Sequence, residues 1–131
     1  MPITYETDVT VLTAYTYVIP PTGYDKAKLE LLELAEKIET AKRPGYTQNS
    51  VDVLENFKKA AEMTGVTPMQ VWGAYFYKHT AALLSYAKDP TIPQAESLEG
   101  RFADALNYLK LGFYMIKEEE EENTNQQKLP F

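Results

Sequence analysis

From Leu98 to Ile116 the chain reads as one helix whose apolar residues spread over an arc of about 220° at roughly 100° per residue. Leu98, Phe102, Ala105, Leu106, Leu109, Phe113 and Ile116 fill the middle of that arc, and Tyr108, Leu111 and Met115 fill one flank. Arg101 and Asp104 fall on the same flank. A charge among apolar residues is costly unless it is paired, so this flank needs a partner side chain, a cofactor or a wet cleft. The segment therefore points both to a packed helical fold and to a site within it.

A second helix carries a matching anomaly. Thr67-Pro68-Met69-Gln70 is a helix start: Thr67 suits the cap, Pro68 the first helical position, and Gln70 completes a capping box. Gly65 suits the end of the helix before it. Met69, Trp72, Phe76, His79, Leu83 and Tyr86 then recur at spacings of three and four, which puts the only histidine of the chain on the apolar stripe. Lys78 lies at the edge of the stripe. Two readings follow. In one, His79 is a core residue hydrogen-bonded to a carboxylate or carbonyl. In the other, Lys78, His79, Arg101 and Asp104 face one another across a helix pair and line a pocket. A metal site would have to be completed by carboxylates, because the chain has one histidine and no cysteine.

The remaining elements follow from the same periodicity. Asp25 to Lys42 forms a helix with Leu31, Leu34, Ala35, Ile38 and Ala41 on one stripe and Glu30, Glu33, Glu36 and Glu39 off it. Arg43 to Asn49 reads as a loop, Ser50 to Thr64 as a helix burying Val53, Leu54, Phe57, Ala60 and Ala61, and Asp89-Pro90-Thr91-Ile92-Pro93 as a break. The last helix is expected to start near Ala95 and to fray within Glu118 to Glu122, since acidic charge opposes the dipole at a helix C-terminus. Residues 7–19, rich in Thr, Val and Tyr, read as a strand or extended arm. The fold expected is mainly α: a bundle of about four helices with a short N-terminal β-strand or arm over residues 1–117, and an acidic, disordered tail over 118–131.

Composition limits the partners. A chain of 131 residues has the length of one domain, and a net charge of −6 argues against a grip on the phosphates of DNA or RNA. No apolar run approaches the roughly 18 residues of a membrane span, and no signal-peptide pattern opens the chain, so an intracellular, cytoplasmic protein is expected. Unpaired apolar surface and a strand edge predict a homo-oligomer.

Several short motifs carry a resemblance. They are Arg43, Gly45 and Tyr46; Asn56-Phe57-Lys58; Lys78; Glu96-Ser97; Asp104; and Asn107-Tyr108. In this order, over residues 43–117, the chain resembles small bacteriophage proteins grouped under the label nucleotide modification associated domain. The resemblance implies a helical phage protein acting on nucleotide metabolism in the cytoplasm of an infected bacterium. It also implies a likeness to all-α nucleotide pyrophosphatases, which hold Mg²⁺ with ExxE and ExxD carboxylates on two helices. Glu30, Glu33, Glu36 and Glu39 have the ExxE spacing, but Asp104 and Asn107 stand where a second carboxylate pair is needed. The expected function is accordingly nucleotide binding, as a degenerate pyrophosphohydrolase or a nucleotide-sequestering protein, with Mg²⁺ the cofactor to test. Lys78, His79, Arg101, Asp104, Asn107 and Tyr108 are the candidate ligand-binding residues: Lys78 and Arg101 for phosphate, Asp104 and Asn107 for sugar or base, Tyr108 or Trp72 for stacking.

The alternative is a protein-interaction module. Its buried charges would lock two helices together, and its C-terminal Gln126, Leu129 and Phe131 would dock on a host protein. Those three residues are similar to the short peptides that bind the bacterial replication clamp, although Gln127 stands where Leu is usual.

Overall fold

The computed structural model describes residues 22–47 and 51–127. They form four helices and no strand: α1 (Gly23–Thr47), α2 (Glu55–Thr64), α3 (Pro68–Lys88) and α4 (Leu98–Gln127). The N-terminal strand or arm expected over residues 7–19 lies outside the described residues. No helix among those described is long and apolar enough to cross a membrane.

Three of the four helices start on the same device. Thr22 Oγ1 accepts the Asp25 N–H at 3.1 Å while the Asp25 carboxylate accepts the Thr22 N–H at 3.2 Å. Thr67 and Gln70 exchange the equivalent pair at 3.1 and 2.9 Å, as their sequence predicts. Ser97 Oγ accepts the Gly100 N–H at 3.0 Å and starts α4, three residues later than Ala95. Before α2, Asp52 holds the Leu54 N–H at 2.9 Å, and the helix proper begins only at Glu55. Gly65 ends α2 at φ 76°, a left-handed conformation in which a side chain would be strained.

Two boundaries differ from expectation. α1 runs through Pro44 to Thr47, where a loop from Arg43 was expected. The proline sits in the final turn, so little helix remains beyond the hydrogen bond it interrupts. α4 continues through all five glutamates to Gln127 instead of fraying among them. Glutamate is a good helix former, and the run is anchored across the bundle: Lys58 on α2 lies 3.1 Å from Glu118 and 2.7 Å from Asp52.

Helix α4 is the central element, packed against α3 on one side and α1 on the other, with α2 closing against α3 and α1. The core gathers Leu54, Phe57, Ala61, Val71 and Met115, flanked by Val53, Met69, Trp72, Tyr108 and Leu111. Two contacts fix the spacing around α4. The Trp72 indole N–H donates to the Tyr108 carbonyl at 2.6 Å, and its ring lies so close to Gly112 that a Cβ there would sit 2.6 Å from ring carbons. On the other side, Ala35 and Ala103 are buried, and small residues there let α1 approach closely enough for Asn107 to donate to the Ala35 carbonyl at 2.9 Å.

The face of α4 turned inward is not the one its apolar pattern suggests. The middle of the arc is open: Phe102, Leu109, Phe113 and Ile116 are exposed, and Leu98, Ala105 and Leu106 are half-buried. The polar flank is inside, and Arg101, Asp104 and Asn107 are buried there together with Met115.

Candidate functional site

The buried flank of α4 presents Arg101, Asp104, Asn107 and Tyr108 at spacings of three, three and one, so all four project from adjoining turns. α3 adds His79, α1 adds Lys42, and the segment before α4 adds Glu96. Asp104 is the hinge of the arrangement. One carboxylate oxygen lies 3.4 Å from Lys42 Nζ, on the α1 side, and the other lies 3.8 Å from His79 Nδ1, on the α3 side. The carboxylate thus belongs to two compartments.

The α3 compartment is a closed ion network. Arg101 Nη1 lies 3.4 Å from His79 Nδ1 and 3.5 Å from Glu96 Oε2, and the Arg101 Nε is buried without a hydrogen-bond partner among the described residues. Burial of the imidazole lowers the His79 pKa from 6.5. Asp104 opposes that shift, while Arg101 and Lys78 add to it and Glu96 opposes it. The ring is therefore mostly neutral at pH 7, and in the tautomer that carries its proton on Nε2 the guanidinium donates to Nδ1. Tyr108 stacks on the imidazole, ring centroids 5.1 Å apart.

The α1 compartment is a small hollow that opens to solvent, with a cavity volume of about 30 Å³. Ile38, Val53 and Leu111 give it apolar walls; Asp104, Asn107 and Tyr108 line it from α4; Glu39, Lys42 and Arg43 line it from α1. Asn107 donates an amide N–H to the Ala35 carbonyl, and its Oδ1 is buried with no hydrogen-bond partner among the described residues. Glu39 is held by Lys110 at 2.7 Å.

His79, Arg101, Asp104, Asn107 and Tyr108 therefore come together, and Lys78 does not: its side chain is exposed. The stacking roles are constrained as well. Trp72 already stacks on Phe76, centroids 5.0 Å apart, and Tyr108 is in contact with the rings of His79, Tyr75 and Phe57. Periodicity missed Lys42 and Arg43. The signal was present, because Lys42 follows Ala35 by seven residues and Ile38 by four and so continues the apolar stripe of α1 by one turn.

Oxygen and nitrogen atoms of His79, Glu96 and Asp104 lie within 4.8 Å of one another, a spacing that would suit a cation. Arg101 Nη1 lies within 3.5 Å of two members of that group, so a metal ion would have to displace a guanidinium of like charge. Of the ExxE carboxylates, Glu30, Glu33 and Glu36 are exposed and only Glu39 reaches the hollow. Glu39 and Asp104 are too few ligands for Mg²⁺ without phosphate oxygens to complete the shell. At the C-terminus, Gln126 falls in the last turn of α4, while Leu129 and Phe131 lie outside the described residues.

The class these features define is a small α-helical bundle built around a buried polar network with an adjoining hollow. Comparison with known protein families, curated proteins and solved structures finds no match to this chain.

Proposed function

We propose that the chain binds a nucleotide or nucleotide-derived anion in the hollow between α1 and α4. The observation that carries this reading is the pair of cations, Lys42 and Arg43, that lines the hollow beside its apolar walls. Phosphate oxygens suit them. The apolar walls of Ile38, Val53 and Leu111 fit the uncharged part of such a ligand. Lys42 sits half-exposed at the mouth and already leans on Asp104, so an incoming phosphate competes for a cation that is close at hand. Compared with the sequence reading, the phosphate contacts move from Lys78 and Arg101 to Lys42 and Arg43, and Asp104, Asn107 and Tyr108 keep their places in the ligand site. Sequestration fits better than hydrolysis, because the two carboxylates lining the hollow are both engaged by lysines. The resemblance to phage proteins supports a setting in the cytoplasm of an infected bacterium.

A thermal-shift screen of nucleoside mono-, di- and triphosphates, with and without Mg²⁺, tests the reading. A ligand near saturation should raise Tm by roughly 5 °C or more. Arg43→Ala should abolish the shift while the protein stays folded, since Arg43 is exposed. No shift with any nucleotide would overturn the proposal.

A further inference from the structure

The exposed apolar stripe of α4 has no role in the ligand site and calls for a cover of its own. Phe102, Leu109, Phe113 and Ile116 keep 52%, 50%, 64% and 47% of their surface open, so half of each of these large side chains faces solvent. On the helical wheel the four lie within about 60° of one another, and they run about 21 Å along the helix at 1.5 Å per residue. Scattered apolar residues need no explanation, but a continuous ridge on the longest helix of a small protein does.

We infer that the cover is a second copy of this chain, packed through α4 against α4 in antiparallel fashion about a twofold axis near Leu109. The sequence of the ridge is complementary to its own reverse. Pairing centred on Leu109 sets Phe102 opposite Ile116 of the other copy and sets the small Ala105 opposite the bulky Phe113, while Leu109 meets its own equivalent. Large against small at facing positions is what close helix packing needs. The charges agree with the same register. Glu99 and Lys117 are exposed, lie on the same edge of the ridge, and stand ten residues before and eight residues after Leu109. A twofold axis at Leu109 brings each Glu99 to within two residues of the level of Lys117 of the other copy, about 3 Å along the helix, close enough for two ion pairs. A parallel arrangement about a twofold axis would put the Glu99–Lys117 edges of the two helices on opposite sides of the contact and form neither ion pair. The antiparallel register also lays Glu120 beside the first turn of the facing α4, where a helix N-terminus favours negative charge. With its Glu99, Leu106 and Lys117 edges the ridge buries on the order of 600 Å² per copy, at the lower end of specific interfaces. The interface is isologous, as a closed dimer requires.

The test uses the full chain, which has no native cysteine, so introduced thiols report only on themselves. Sedimentation or light scattering should give twice the chain mass of 14.9 kDa at micromolar concentration. Phe113→Glu should return the single-chain mass with helical circular dichroism unchanged. Mixing E99C with K117C under mild oxidation should give a disulfide-linked heterodimer, and either variant alone should stay uncrosslinked. Glu99→Lys should loosen the dimer by roughly tenfold, and Glu99→Lys combined with Lys117→Glu should restore it. A single-chain mass at all accessible concentrations would overturn the proposal; deleting residues 1–21 would then ask whether that segment covers the ridge instead. Crosslinking of E99C to itself would overturn the antiparallel register, and a dimer that survives Phe113→Glu would place the contact elsewhere.

Discussion

Two faces of one helix differ in a way that reverses the usual order. On its inner flank α4 buries Arg101, Asp104 and Asn107, and on its outer face it exposes Phe102, Leu109, Phe113 and Ile116. Burying charge while leaving aromatic rings in water is unfavourable on both counts for an isolated chain. An inversion of this kind persists where each face is committed to something besides the stability of the single chain. The inner flank is tied polar group by polar group to α1 and α3, and under the proposed function it serves a site. The outer face has no such ties among the described residues and a self-complementary pattern, and under the proposed dimer it serves an interface.

The largest expected effect lies on the inner flank. Asp104→Ala leaves Lys42 without its partner and removes the carboxylate beside His79, in a region where the Arg101 Nε has no hydrogen-bond partner among the described residues. The loss should be about 2–4 kcal/mol of unfolding free energy, measured by urea denaturation. A change below about 0.5 kcal/mol would show that the network is solvated and that the two faces of α4 differ less than their burial implies.

Next comes the spacing between α3 and α4. A Cβ at Gly112 would meet the Trp72 ring at 2.6 Å, and Trp72 is itself fixed by its hydrogen bond to the Tyr108 carbonyl. Gly112→Ala should cost about 1–3 kcal/mol. Combined with Trp72→Leu it should cost less than the sum of the two single changes, because the smaller side chain vacates the space. Strict additivity would mean that α3 shifts as a body and that the Trp72 contact does not set the position of the inner flank.

How much of this was legible in the sequence depends on which kind of signal each feature leaves. The start of α3 was readable because Thr67, Pro68 and Gln70 act within one turn, and local hydrogen bonds need no tertiary partner. The grouping of Arg101 with Asp104 was readable because helical spacing decides which residues share a face. Which face points inward was not readable. Periodicity reports that α4 has a wide apolar arc and a polar-bearing flank, and the choice between them is made by residues on other helices: Ala35 on α1, and Trp72 and His79 on α3. The hollow was hidden for the same reason, since Lys42 and Arg43 belong to a helix that meets Asp104 across 61 to 62 positions of sequence. The persistence of α4 through Glu118 was missed because the dipole argument treats a helix end alone, whereas Lys58 reaches it from α2.

Titration of His79 probes the inner flank with a gentler perturbation. The folded-state pKa of His79 lies below the ordinary imidazole value of 6.5, chiefly through burial and against the pull of Asp104. Between that lowered value and about 6.5 the unfolded chain binds more protons than the folded one, so stability rises with pH across the window and is lost as pH falls through it. The denaturation midpoint should therefore drop as pH falls below about 6.5, and His79→Phe should flatten the slope there. Asp52, whose pKa is held below the usual carboxylate value because hydrogen bonds from Lys58 and the Leu54 amide outweigh its burial, also loses stability on acidification, but below about pH 4. A slope unchanged by His79→Phe would assign the acid sensitivity to the carboxylates and leave the imidazole a packing residue only.

The smallest effect is expected on the outer face, and its smallness is the point. Phe113 is 64% exposed, and its only ring contact among the described residues is with the Lys117 ammonium, 5.5 Å from the ring centroid. Replacing it with Ser removes little that the single chain uses, so the unfolding free energy of dissociated protein should change by less than about 0.5 kcal/mol. The same substitution should remove the concentration dependence of Tm that a dimer shows, because mass action stabilises only what associates. Asp104→Ala should do the reverse, lowering stability at every concentration while leaving the dependence on concentration in place. If Phe113→Ser instead destabilises dilute protein as much as Asp104→Ala does, the outer face is part of the fold of a single chain, covered by residues outside 22–127, and the division of labour between the two faces of α4 fails.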